Sequence, residues 1–184
     1  MMRPTGFSPP WRSIAYGPSA ISLHTWVSPD LMIDIARTLA EAFRKWNVGY
    51  LFIGKFAAML YGYPGTTQDI DIYAEKGRSN GEKIISALGE LGFVLDETLK
   101  EAILTGKDFI QIRGGPFPLD IVFAPDGIES FAKASQRGNL IEGLFACASM
   151  DDIINSKKAA GRQRDKEELP RLQLFKEALK PPHD

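Results

Sequence analysis

Asp69 and Asp71 stand one residue apart in the stretch "QDIDIYA", and Asp120 interrupts the apolar run "PLDIVF". Successive side chains of a strand point to opposite faces, so Asp69 and Asp71 share one face while Ile70 and Ile72 take the other. Such a pair is either the solvated acidic face of a half-buried strand or a set of ligands, and Asp120 bears on the choice. If its strand lies beside that of Asp69 and Asp71, three carboxylates converge, and an unpaired cluster forces one member to take up a proton. A divalent cation removes that conflict. Magnesium is held by a few carboxylates and completes its shell with water and substrate phosphates, and two such ions stabilise the attacking and leaving oxygens of a phosphoryl or nucleotidyl transfer.

Two further groups of residues suit a phosphate. Gly54 ends the apolar run "VGYLFIG" and opens "KFAAMLYG". A glycine there is either a plain turn residue or the means by which a phosphate approaches the backbone at a helix N-terminus, and Lys55 adds charge at the same spot. In "NSKKAAGRQRDK" the cations Lys157, Lys158, Arg162, Arg164 and Lys166 stand against one acid, Asp165. They are either a solvated helix end whose charges suit the C-terminal dipole, or a phosphate clamp in which Asp165 orients Lys157 or Arg162.

The elements that must position these residues can be read from pattern. Ser28 caps a first helix, Pro29 suits its first turn, and Leu31, Ile35, Leu39 and Phe43 recur on one face before a stop near residues 47–49. A buried strand ending at Gly54, a short helix closed by Gly62, the turn "YPGTT" and the Asp69–Asp71 strand follow. Residues 79–91 read as a helix, and "KDFIQIR" and "LDIVFA" as an antiparallel hairpin across "GGPFP". Residues 127–145 read as mostly helical, Ser149 starts another helix with Asp152 in its capping region, and a last helix runs over 166–179. The expected fold class is α+β, a mixed sheet with an N-terminal helix and a C-terminal helical segment. The expected division is an irregular arm over 1–27, a domain over 28–146 and a helical segment packed on it over 147–184.

The segment "LFIGKFAAMLYGYPGTTQDIDIY" resembles the DNA polymerase beta-like nucleotidyltransferase superfamily, especially its minimal and abortive-infection-type members. These share an apolar strand, a Gly-Gly or Gly-Ser pair, a short helix ending in glycine, and a strand with Asp-x-Asp. A later apolar strand carries a third carboxylate, matched here by Asp120, and "ASMDDIINSKKAAGRQRDKEEL" is similar to a C-terminal segment of some members. The resemblance implies a nucleotidyltransferase fold and transfer of a nucleotidyl group from a nucleoside triphosphate to a hydroxyl. Asp69, Asp71 and Asp120 would be the catalytic and magnesium-binding residues. Gly54, Lys55, Lys157, Arg162 and Asp165 would face the nucleotide. It also leaves a degenerate nucleotide- or partner-binding protein, or a toxin–antitoxin component whose acceptor is a tRNA or a protein, as alternatives. Two positions depart from the pattern: Lys55 replaces the small second residue of the glycine pair, and Gly65 follows Pro64 where many relatives carry arginine.

Composition sets the background. The chain has 184 residues, 44% hydrophobic and 24% charged with a net charge of -1, as expected of a globular domain with its own core. Bulk charge gives no reason to expect non-specific nucleic-acid binding. One cysteine, Cys147, forms no intrachain disulfide, so a reducing, cytoplasmic setting is expected, and its apolar neighbours suit an inert thiol. Two histidines, His24 and His183, argue against a histidine-rich zinc site. No apolar run is long enough to cross a membrane. The arm over 1–27, with four prolines and two tryptophans, can dock on the domain or on a second copy, which would make the protein a homo-oligomer.

Overall fold

A computed structural model describes residues 28–179; the arm over 1–27 with its expected docking role, and His183, lie outside the described residues. The first helix, α1 (Pro29–Lys45), forms as its signals require: Ser28 Oγ accepts the Leu31 N–H at 3.3 Å, Asp30 lies in the first turn, and Arg44 and Lys45 lie in the last. Its buried stripe of Ile35, Leu39 and Phe43 packs on the sheet, where the Phe43 ring meets Tyr50 edge-on at 4.8 Å.

Six strands make one mixed sheet: β1 (Tyr50–Ile53), β2 (Ile70–Ala74), β3 (Phe109–Ile112), β4 (Leu119–Val122), β5 (Asn139–Ile141) and β6 (Phe145–Cys147), in the order β3-β4-β2-β1-β6-β5. The register fixes the faces. Ile70 lies opposite Leu119 and Ile72 opposite Ile121 and Phe52, and all five are fully buried on the face that holds Tyr50 against α1. The other face carries Asp71, Asp120 and Gln111 side by side across β2, β4 and β3. Tyr73, on that same face, packs edge-on against Phe131 at 5.2 Å, so α5 (Phe131–Arg137) covers the polar face beyond the aspartates. The arrangement is the expected α+β class with a mixed sheet. Among the described residues no helix is long and apolar enough to cross a membrane.

Two stretches differ from the sequence reading. The segment after α3 (Arg78–Glu90) contains a helix that the pattern did not suggest, α4 (Glu97–Thr105). Asp96 caps it by accepting the Leu99 N–H at 2.7 Å, and it lies so close to α3 that a Cβ on Gly81 would meet the Ile103 carbonyl at 3.0 Å. Its apolar period is short, Leu99, Ala102 and Ile103, and of these only Ile103 is fully buried. Residues 127–145 are not mostly helical: α5 ends at Arg137 and the chain turns into the hairpin of β5 and β6. Each of these strands is three residues long, too short for alternation to show. Tertiary pairing decides the matter, since β6 joins β1 in parallel and buries Phe145 beside Phe52. The division at 146/147 falls inside β6.

Two helices close the described chain. Ser149 caps α6 (Met150–Ala160): its Oγ accepts the Asp152 N–H at 3.1 Å and donates to Asp152 Oδ2 at 2.8 Å. Arg137 forks onto the same carboxylate, Nη2 to Oδ1 at 2.6 Å and Nε to Oδ2 at 3.1 Å, tying the end of α5 to the start of α6. Gly161 then breaks the chain before α7 (Gln163–Ala178).

Candidate active site

The strand β2 brings Asp71 between two neighbours. Its Cα partner on β4 is Asp120 and its partner on β1 is Ile53. Asp69 lies just before β2 and is exposed, Asp71 is half-buried, and Asp120 is buried. The parallel pairing therefore puts two carboxylates in direct register, with the third at the strand's open end. The turn that precedes α2 (Gly54–Leu60) closes on this pair. Gly54 has φ +71, and a Cβ there would stand 2.6 Å from Asp71 Oδ2. Glycine is thus required twice at this position, for the left-handed backbone and for the close approach of the carboxylate.

The two paired aspartates differ in environment. Asp120 Oδ1 accepts from Arg113 Nη1 at 2.6 Å, and Gln111 Nε2 reaches its Oδ2 at 3.4 Å. That bond, and the nearby Asp69 and Asp71, hold the Arg113 guanidinium above its usual range. Asp71 accepts no side-chain hydrogen bond among the described residues. Burial first, then the charges of Asp120 and Asp69, push its carboxyl up from 3.8 to about 7, while Lys157 and Arg162 act in the opposite sense. Lys157 and Arg162 are therefore near enough to feel Asp71, from the α6–α7 side of the site.

Those cations are organised by a residue that the sequence reading missed. Lys157 Nζ donates to Asp165 Oδ1 at 3.1 Å and to Glu168 Oε2 at 2.8 Å. Lys55 Nζ lies 3.4 Å from the other Glu168 oxygen. Burial pulls the Lys157 ammonium down, but the bonds to Glu168 and Asp165 outweigh it and leave it raised. Burial likewise opposes the Glu168 carboxylate, and Lys157 and Lys55 together lower it. Lys55 thus turns toward α7, pairing with neither Asp69 nor Asp71. Its Cε would lie 3.1 Å from a Cβ on Gly65, so the two departures from the family pattern share one space. A side chain at 65 would require the end of Lys55 to shift by a few tenths of an ångström.

The three aspartates do not form a finished metal cage. Among the described residues no group of three or more His, Cys, Asp or Glu side chains is gathered closely enough to hold an ion, and one oxygen of Asp120 is committed to Arg113. The convergence expected of all three carboxylates is thus realised in backbone register for Asp71 and Asp120, with Asp69 at the mouth. The donor set nevertheless suits a hard cation: a half-buried carboxylate, Asp71, without a donor among the described residues, an exposed one two residues before it, and neighbouring like charges that raise the proton affinity of Asp71. Cys147 is buried, and that burial pushes its thiol up to about 12, which removes it as a nucleophile.

Arg113, Gln111 and Glu168 all contact the candidate residues and were absent from the sequence reading. A signal existed for the first two. In the hairpin across "GGPFP", "QIR" puts 111 and 113 on one face opposite Asp120. Glu168 had none, because its contact crosses from one helix to another.

No protein-family model matches the sequence, and no curated protein does. Solved structures do. The antibiotic-resistance factor ANT(2'')-Ia in solution superposes with a TM-score of 0.57 at 17% identity, over 80% of this chain and 85% of that one. A crystal structure of ANT(2'')-Ia in complex with adenylyl-2''-tobramycin gives 0.55 at 16% identity, over 78% and 88%. A candidate nucleotidyltransferase from Thermotoga maritima gives 0.52 at 16% identity, over 83% and 98%. The chain has the fold of the nucleotidyltransferases.

Proposed function

We propose that the protein binds a nucleoside triphosphate and transfers its nucleotidyl group to a hydroxyl acceptor. The observation that carries this reading is the register of Asp71 with Asp120 on one sheet face, with the charges of Lys157 and Arg162 close enough to favour the ionised Asp71. A solvated acidic strand would not be expected to bury Asp120 to 7% exposure, nor to press Asp71 against a left-handed glycine.

A magnesium ion held by Asp69 and Asp71 would supply positive charge to the phosphate oxygens. Asp120 has a lone pair left beside its bonds to Arg113 and Gln111, and it accepts the proton of the acceptor hydroxyl. The acceptor oxygen then bonds to the α-phosphorus, the bond from that phosphorus to the bridging oxygen breaks, and pyrophosphate leaves. Lys157, with Lys55, meets the departing phosphates by exchanging the Glu168 carboxylate for them, and Arg162 extends the positive field. The neighbouring enzyme's adenylylated tobramycin is consistent with nucleotidyl chemistry on this fold.

A second reading is a nucleotide-binding protein without turnover. It is favoured by one observation: Asp120, Lys55 and Lys157 all have internal partners already, so among the candidate residues a ligand would have to displace existing ion pairs. Calorimetric titration of each nucleoside triphosphate with and without magnesium, followed by transfer of an α-phosphate label, separates the two. The transferase reading expects magnesium-dependent binding that survives in Asp120→Asn while transfer is lost. Binding indifferent to magnesium overturns the metal-dependent reading, and binding without label transfer leaves the second one.

A further inference from the structure

Asp71 and Asp120 share a register but not their partners. Among the described residues, the side-chain donors that reach any of the three aspartate carboxylates all go to Asp120: Arg113 Nη1 to Oδ1 at 2.6 Å and Gln111 Nε2 to Oδ2 at 3.4 Å. The hairpin explains the asymmetry. Gln111 is the Cα partner of Asp120 across β3 and β4, and Arg113 follows it on the same face, so both donors stand over β4, one strand away from Asp71. The Asp120 side chain is only 10% exposed, and a carboxylate so enclosed needs a counter-charge. A guanidinium supplies one that no accessible pH removes. Its bond to Asp120, and the charges of Asp69 and Asp71, favour its ionised form further. A divalent ion competes for the same oxygens. Lying between Asp71 and Asp120, it would share Asp120 with the guanidinium, and the two positive charges would repel each other across one carboxylate. Asp69 and Asp71 present no such conflict.

We propose that Arg113 takes the place of a second metal ion, so that the site holds one divalent ion, on Asp69 and Asp71, and keeps Asp120 out of the metal shell. This deepens the transferase reading and rests on it for the role of Asp120 as a base. It differs from the resemblance, which would make Asp120 a magnesium ligand as well. Arg113 is a positioning residue in this arrangement: it touches neither nucleotide nor acceptor, and it holds the Asp120 carboxylate while supplying a fixed positive charge beside it. The balance of charge agrees. Three carboxylates less one guanidinium leave two negative charges, which a single divalent ion neutralises.

The test is titration of the full chain with manganese alone, the free ion being read by electron paramagnetic resonance. The parent should bind one ion, and Asp71→Asn should lose it. Arg113→Gln keeps an amide donor and removes the charge. It should gain a second ion about tenfold tighter than any further binding to the parent, with the exchange broadening of two neighbouring manganese ions in its spectrum. Arg113→Lys keeps the charge and should return the count to one. The double variant Arg113→Gln/Asp120→Asn removes both charges of the pair together, and should hold its single ion within about threefold of the parent's affinity. No ion or two ions in the parent, one ion in a folded Arg113→Gln, or a loss of more than about tenfold in the double variant overturns the proposal. Should Arg113→Gln fail to fold, the parent and the double variant decide it. Failure of the transferase reading is seen separately: one bound ion without transfer of an α-phosphate label removes that reading and leaves the ion count, and the part of Arg113 in it, standing.

Discussion

Replacing Asp71 by asparagine should stabilise the protein, by an amount that depends on pH. In the folded chain, burial and the charges of Asp120 and Asp69 hold the carboxyl at about 7 against 3.8 for a free one. Below 3.8 the group is protonated in both states and the difference has no effect. Between the two values the unfolded chain ionises and the folded one does not, so stability falls as pH rises. Above 7 both are ionised and the loss levels off. At ~1.36 kcal/mol for each pH unit between the two values, the full cost is about 4 kcal/mol, and at pH 5 about 1.5 kcal/mol of it is incurred. An asparagine carries no charge and incurs none of it. Thermal melts in a chelator at pH 5 and pH 8 read the difference. Asp71→Asn should melt on the order of 10 °C above the parent at pH 8 and by well under half of that at pH 5, at ~2–4 °C per kcal/mol for a chain of this size. Magnesium at pH 8 should raise the parent's melting temperature and leave the variant's unchanged. A variant no more stable than the parent at pH 8, or a gain independent of pH, refutes the view that Asp71 is a crowded carboxylate awaiting a counter-charge.

Gly54→Ala would place a Cβ 2.6 Å from Asp71 Oδ2 at a residue whose φ is +71. A loss of about 1–3 kcal/mol in denaturant unfolding is expected, together with weaker triphosphate binding by calorimetry as the carboxylate is displaced. Arg137→Ala strips the fork from Asp152, which is 2% exposed. It should lower the midpoint in the same unfolding experiment, and Arg137→Lys should recover only part because a lysine cannot bond both oxygens at once.

Much of the site was legible because its signals are local. The alternation of Asp69 and Asp71 with Ile70 and Ile72 is a property of any strand, and Gly54 marks the turn that precedes α2. The pairing of Asp120 with Asp71 was a conditional guess, since nothing local says that β4 runs parallel to β2. The helix starts at Ser28 and Ser149 were read from capping residues and are found there. What could not be read depends on contacts distant in sequence. Glu168 matters only because α7 folds back on α6 and α2, and β5 and β6 exist as strands only because β1 offers an edge. Arg113 was overlooked although the hairpin pattern placed it on the face of Asp120, because a cation at the end of a hairpin strand usually faces water, and here it turns onto the neighbouring strand's buried carboxylate.

The route by which Lys55, Glu168, Lys157 and Asp165 come together has a consequence for the order of folding. Lys55 and Glu168 are separated by most of the described chain, and the central pair Asp71 and Asp120 by some fifty residues of it. Contacts of such separation close late, after local helices and the β3–β4 hairpin have formed. During synthesis a chain that has not yet released α7 can already pair β2 with β4 and so crowd its aspartates together. It cannot yet neutralise Lys55 and Lys157 with Glu168. For that interval the nascent sheet exposes its acidic and basic halves unbalanced. On the proposed function a nucleotide would take the place of Glu168 on Lys55 and Lys157 in that interval, so adding one should slow the docking of α7 in a refolding experiment, where that docking is the last phase.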